Sequence, residues 1–286
     1  MRSYSRAAAA AALALSTAGL PAAVQAQVDV SLHAPEEPRP YLALMGTIPL
    51  YWGEAAGLDE LLSGEAQPHW ARALLERDFA LAPLDYLSAE TLANHDYLLM
   101  AQPRGLSGEE NVALDEWVRA GGRLLLFADP VMTSHSRFHI GDRRRPQDTV
   151  VLSPILARWS LELRYVEDQR EGFQVREFAG VDLPVNLPGE LVALDAGETV
   201  CELAARGLVA RCAVGEGAVT IIADAAILDV SGPRHDAARL VSGLVSYGLG
   251  ISREFTVENR DTLPDSVQNQ ANTDESDDHG EHHHAH

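Results

Sequence analysis

Apolar residues in this chain gather in short runs separated by polar stretches with helical spacing. Tyr41 to Gly46 is an apolar run ended by glycine, which predicts a buried strand. Trp70, Leu74 and Leu75 share one face of a helix predicted over Pro68 to Asp78. Phe79 to Ala82 predicts a second strand, Ser88 with Glu90 and Thr91 opens a short helix, and Tyr97 to Ala101 predicts a third strand. Ser107 followed by Glu110 is a capping box, Val112, Leu114, Trp117 and Val118 supply an apolar face, and Gly121-Gly122 ends that helix. The continuous apolar run Arg123 to Ala128 then predicts a strand covered on both faces.

Further on, Ser153-Pro154 opens a helix through Trp159, and Leu161 to Val166 is strand-like. Strands alternating with helices at these spacings predict βαβ units and a parallel sheet with helices on both faces. After about residue 170 the pattern becomes β-rich, with short strands near Phe173 to Phe178, Val200 to Leu203, Leu208 to Ala213 and Ala218 to Ala223. A last amphipathic helix is predicted over His235 to Tyr247.

The ends differ from this middle. Arg2 and Arg6 precede the apolar run Ala7 to Gly19, and Val24-Gln25-Ala26 places small residues at a cleavage site, so residues 1–26 read as a signal peptide. The expected location is the periplasm, with no integral membrane segment after cleavage. Residues 27–256 form the expected α/β domain, and 257–286 an acidic, His-rich disordered tail.

Charge narrows the chemistry. The chain carries 22 Lys+Arg against 42 Asp+Glu, net −20, and every one of those bases is arginine. Schiff-base chemistry, the phosphate-binding lysine of Walker motifs and lysine general bases are therefore excluded. Nucleic acid is not an expected partner, because no basic excess exists to displace counterions from phosphates. Cys201 and Cys212 flank a two-residue turn at Arg206-Gly207 and face each other on a predicted hairpin. That arrangement leaves two readings, a structural disulfide or two buried thiols, since the register makes them a hydrogen-bonded pair with the wider spacing.

Open α/β sheets bind ligands beyond the carboxyl ends of their strands. Here those ends carry Trp52 and Glu54, then Gln102 and Arg104, then Asp129 followed by His135, Arg137 and His139, the candidate ligand-binding residues. Arg143-Arg144-Arg145 in the same loop offers a grip for a carboxylate or phosphate, and a solvated polar loop is the alternative. No cofactor is required by any of these groups. His279, His282, His283, His284 and His286 lie among acids in the tail, a composition that suits Zn or Cu, with a solubilising terminus as the alternative.

Asp96-Tyr97-Leu98-Leu99-Met100-Ala101, the helix from Leu106-Ser107 to Val118, Gly121-Gly122-Arg123-Leu124-Leu125-Leu126-Phe127 and Asp129-Pro130 resemble the soluble domain of gliding-motility-type (GldG-like) ABC transport auxiliary proteins. That family is similar in fold to class I glutamine amidotransferases. The resemblance implies a flavodoxin-like parallel sheet and a non-catalytic periplasmic accessory or binding component of an ABC-type transport system, with the transporter's membrane subunit as partner. The chain departs from the family in lacking a membrane helix. It also departs from amidotransferases at the turn Met100-Ala101-Gln102-Pro103-Arg104-Gly105, where Gln102 stands in the nucleophile region and cannot attack a carbonyl. Two alternatives accompany the accessory reading: a periplasmic divalent-metal-handling protein using the tail, or a hydrolase drawing on Asp129, His135 and Glu54.

Overall fold

A computed structural model describes residues 38–257 apart from 56, 64–66, 196–198 and 230–235. The predicted signal segment, the start of the last helix at His235 and the tail with its five histidines lie outside the described residues.

Five strands run parallel at the centre: β1 (Tyr41–Gly46), β2 (Ala80–Pro83), β3 (Tyr97–Ala101), β4 (Arg123–Phe127) and β11 (Gly217–Ile222). Their spatial order is β2-β1-β3-β4-β11, so the winding reverses direction between β1 and β3. The connections carry α1 (Leu58–Ser63), α2 (Trp70–Asp78), α3 (Ala89–Leu92), α4 (Gly108–Arg119) and α5 (Ser153–Arg158), and α6 (Ala237–Gly248) follows β11. Alternate residues of each strand feed two cores. Leu42, Leu44, Leu99, Leu125 and Phe127 pack under α2 and α6, whereas Ala43, Met45, Leu98, Met100, Leu124 and Leu126 pack with residues of α4 and α5. Both faces are dry, which is why these strands read as unbroken apolar runs.

The flavodoxin-like expectation is corrected here, and the coarser statement of a mixed α/β fold with a mostly parallel sheet stands. The sheet has seven strands, because β10 (Val209–Val214) and β9 (Val200–Ala204) extend it antiparallel beyond β11. The path from β4 to β11 is built from α5 and short strands in place of a single covering helix. Among them, β5 (Leu161–Arg164) pairs with β8 (Glu190–Ala193), and β6 (Gln174–Phe178) pairs with β7 (Val181–Val185). From Arg39 onward the described residues form one compact unit. Among them, no helix is long and apolar enough to cross a membrane.

Local chemistry fixes the elements. Ser107 Oγ accepts the Glu110 N–H at 3.2 Å while Glu110 Oε2 accepts the Ser107 N–H at 2.9 Å, closing both halves of the capping box on α4. At α2 the cap is His69, whose Nδ1 accepts the Ala71 N–H at 3.1 Å. Its Nε2 lies 3.1 Å from the Leu228 carbonyl and donates to it, and Trp70 Nε1 donates to the Asp229 carbonyl at 2.8 Å. These bonds tie α2 to a 3-10 turn, Ala226–Leu228. Burial pushes the His69 imidazole down to about 4, so it is neutral with its proton on Nε2 at physiological pH.

Cys201 and Cys212 are joined by a disulfide between directly opposed residues of β9 and β10, their Cα atoms 4.1 Å apart. This is the close spacing of a non-hydrogen-bonded rung, not the wider one expected from a two-residue turn. The turn itself differs: Ala205, Arg206 and Gly207 are all left-handed, with φ of 51°, 56° and 77°.

Candidate functional site

β4 and β11 pair in parallel with Phe127 opposite Ile222, and each continues through an alanine to an aspartate: Ala128-Asp129 and Ala223-Asp224. The two carboxyls therefore sit side by side at the carboxyl edge of the central sheet, 0% and 1% exposed. Backbone amides receive them. Asp129 accepts from Val131 N at 2.8 Å and Ala225 N at 3.2 Å; Asp224 accepts from Ala226 N at 2.7 Å and Asn186 N at 2.9 Å.

No arginine supports this pair through a described bond, although the chain is rich in arginine. Burial pushes Asp129 up to about 6. Burial, and then the neighbouring Asp129 charge, hold Asp224 well above the usual carboxylate range. Two like charges in a dry site cannot both persist, so the pair holds a proton near neutral pH. Sequence reasoning found Asp129 and missed Asp224. The signal was present in the repeated ending of two apolar runs, Leu126-Phe127-Ala128-Asp129 and Ile221-Ile222-Ala223-Asp224.

Gln102 follows β3 in the left-handed region, φ 47°, and is completely buried. Its Oε1 accepts the Asp129 N–H at 2.8 Å, and its Nε2 donates to the carbonyls of Asp129 at 3.0 Å and Gln147 at 2.9 Å. Thr47 Oγ1 donates to the Gln102 carbonyl at 2.5 Å and accepts the Gln147 N–H at 2.9 Å. The crevice where the winding reverses is thus closed by a hydrogen-bonded seam between the loops after β1, β3 and β4.

The remaining predicted residues are placed as follows. Arg104 points away from a ligand position and forks onto Glu110, with Nη1 to Oε2 at 2.9 Å and Nη2 to Oε1 at 2.7 Å, while also donating to the Asp85 carbonyl. That fork holds Glu110 down at about 2. Glu54 accepts from Ser136 Oγ and from the Arg137 N–H, and Arg137 returns to the Glu54 carbonyl and to Glu60, joining two loops. Trp52 is half-exposed and stands edge-on to Tyr51. His135 and His139 are exposed, and the described residues contain no group of three His, Cys, Asp or Glu placed to hold a metal.

The expected anion grip of Arg143-Arg144-Arg145 is corrected for its last two members. Arg144 chelates Asp142 and lies over Phe138, and Arg145 pairs with Asp148, because acids sit at i−2 and i+3 in the same loop.

Comparison with known proteins finds no matching family model and no matching curated protein. Solved structures are matched at low identity. An exo-beta-1,4-mannosidase from Opitutaceae bacterium strain TAV5 is 13% identical at a TM-score of 0.39, covering 66% of this chain and 32% of that one. A GH42 beta-galactosidase from G. stearothermophilus is 14% identical at a TM-score of 0.39, covering 65% and 27%. A cytoplasmic protein of Salmonella typhimurium is 13% identical at a TM-score of 0.37, covering 65% and 87%.

The chain spans about a third or less of the two glycosidases it matches. No family model joins the chain to GldG-like auxiliary proteins or to amidotransferases, and that resemblance is corrected accordingly. The accessory role in ABC transport, with its membrane-subunit partner, rested on that resemblance and falls with it.

Proposed function

We propose that the chain is a hydrolase working by acid–base chemistry of Asp129 and Asp224. The observation that carries this reading is the pair itself: two carboxyls at the carboxyl ends of adjacent central strands, held on backbone amides with no countercharge bonded to them among the described residues. Isolating like charges in a dry site is costly, and strongly perturbed acids at that edge of an α/β sheet are the pattern of a functional site. One protonated carboxyl donates to a leaving group while its ionised neighbour takes a proton from water. Both aspartates are buried, so substrate access requires the loops that follow β4 and β11 to part. Of Asp129, His135 and Glu54, Asp129 keeps its role, while Glu54 is occupied by Ser136 and Arg137.

The test is a panel of chromogenic esters, phosphate esters and glycosides assayed with wild type, Asp129→Asn and Asp224→Asn. Turnover by wild type, with a pH profile whose one limb falls near pH 6 and which either variant abolishes, supports the assignment. Turnover that survives both substitutions overturns it.

A second reading concerns the tail, favoured by its five histidines set among acids. His279, His282, His283, His284 and His286 bind Zn or Cu through neutral imidazole nitrogens, with affinity falling below pH 6.5 as protons compete. Calorimetric titration of the full chain and of a chain ending at residue 276 checks this; equal affinity in the two removes the tail as the site. The Cys201–Cys212 disulfide supports a periplasmic location, since exported compartments preserve such bonds. Cell fractionation with detection of the chain in the cytoplasm only would reverse that placement.

A further inference from the structure

A cleft of about 410 Å³ opens at the other edge of the sheet from Asp129 and Asp224, between the amino ends of β1 and β3 and the second half of α6. Its size lies in the range of small-molecule sites. One wall is aromatic: Phe79 and Tyr97 meet edge-to-face, ring centres 5.9 Å apart. The facing wall is the α6 surface bearing Ser242 and Ser246, one helical turn apart.

The hydroxyls of Tyr97, Ser242 and Ser246 make no hydrogen bond within the described protein, so three donor–acceptor groups point toward the cleft with their capacity unused. At its mouth Arg77 and Asp78 place opposite charges side by side, giving the lining no net sign. The whole chain, at −20, repels anions.

We propose that this cleft binds a small neutral polyhydroxylated molecule, a monosaccharide or cyclic polyol. The ring's C–H face lies on the Phe79–Tyr97 wall, and its hydroxyls exchange hydrogen bonds with Ser242, Ser246, Tyr97 and the Asp78 carboxylate. A purely apolar ligand would leave the three protein hydroxyls dry and unpaired, and a charged one would meet the adjacent opposite charge. The site is separate from the carboxylate pair, and its occupancy is read by binding and not by turnover.

The experiment is calorimetric titration and saturation-transfer NMR of the full chain with D-glucose, D-galactose, D-mannose and myo-inositol, with phenol as the apolar comparator. Saturable binding of at least one of the four, weakened about tenfold in Ser242→Ala/Ser246→Ala, is expected from the loss of neutral hydrogen bonds. Serine to alanine on a half-exposed helix face preserves the helix, and Tyr97→Phe, which keeps the aromatic wall, gives a second variant with the same expected direction. Absence of saturable binding by all four probes, preference for phenol, or affinity unchanged in both variants overturns the proposal.

Discussion

Gln102 and Asp129 clamp each other in both directions: the glutamine amide oxygen accepts the Asp129 N–H at 2.8 Å, and the amide nitrogen donates to the Asp129 carbonyl at 3.0 Å. This exchange fixes the backbone of the second residue after β4, whose buried carboxyl is received by the Val131 and Ala225 amides. Replacing Gln102 by alanine leaves the buried Asp129 N–H without a partner, while the Asp129 carbonyl keeps the Val150 N–H and the Gln147 carbonyl belongs to an exposed residue. The expected loss is about 1 to 3 kcal/mol, the cost of one unsatisfied buried group. Urea unfolding followed by circular dichroism measures it; a change within 0.5 kcal/mol or so would mean that water replaces the clamp.

His69 makes stability depend on pH. Its imidazole titrates near 6.5 in the unfolded chain and about 4 in the folded one, so between those values the unfolded chain binds more protons. Stability therefore falls as pH drops through this window, by about 3 kcal/mol when complete. His69→Asn, which keeps a capping acceptor, is expected to flatten that slope. Equilibrium unfolding at a series of pH values across the window checks the difference.

The aspartate pair acts with the opposite sign. Asp129, raised to about 6, keeps a proton in the folded chain where the unfolded chain has already lost it, so stability is present at low pH and lost as pH rises through 6. In wild type this opposes His69 between about pH 4 and 6. In the His69→Asn background it stands uncovered, and stability is expected to rise on acidification across the same range. A flat profile there would show that the pair carries no shifted proton.

Glu110 titrates below both. Its folded value of about 2 is depressed mainly by the Arg104 fork, so its contribution is complete above pH 4.5 and is lost as pH falls toward 2. Arg104→Met removes the fork, keeps the aliphatic stem and is expected to shift the acid unfolding midpoint upward. The cost at pH 7 is about 2 to 3 kcal/mol, because Glu110 is left buried and unpaired.

Reduction of the Cys201–Cys212 bond opens a loop whose ends are 11 residues apart. Loop-closure entropy puts its contribution at about 3 kcal/mol. Cys201→Ala/Cys212→Ala is expected to lower stability by that order and to release strand β9 first, since β9 ends the sheet order and has β10 as its one sheet neighbour. Hydrogen exchange of the β9 amides gives the site-specific readout.

Features set by neighbours in sequence were legible. The capping box of Ser107 and Glu110, the glycine stop after α4 and the doubly buried runs of β1, β3 and β4 all follow from local pattern. Strands β7 and β8 were not foreseen: each is short, Pro184 lies within β7, and each gains its pairing from a partner, β7 from the adjoining β6 and β8 from the distant β5, and not from its own periodicity. Asp224 escaped for a related reason. Its meaning depends on β11 lying beside β4, and that adjacency is created by a long excursion through six intervening strands.

Arg104 was misjudged on similar grounds. Glu110 was read as half of a cap, and nothing in the spacing announced that its two oxygens also receive a guanidinium fork. Arg144 and Arg145, by contrast, had their acids in plain view at Asp142 and Asp148.

The ion pairs of the described residues share one property that follows from the absence of lysine. Arg104 on Glu110, Arg119 and Arg158 on Asp115, Arg137 on Glu60 and the others all use a guanidinium, which keeps its proton beyond about pH 12, where an ammonium lets go near pH 10. The network is thus a one-sided gauge: acid discharges it carboxylate by carboxylate, and alkali strong enough to silence the charges of an ordinary protein surface leaves every one of these bridges standing.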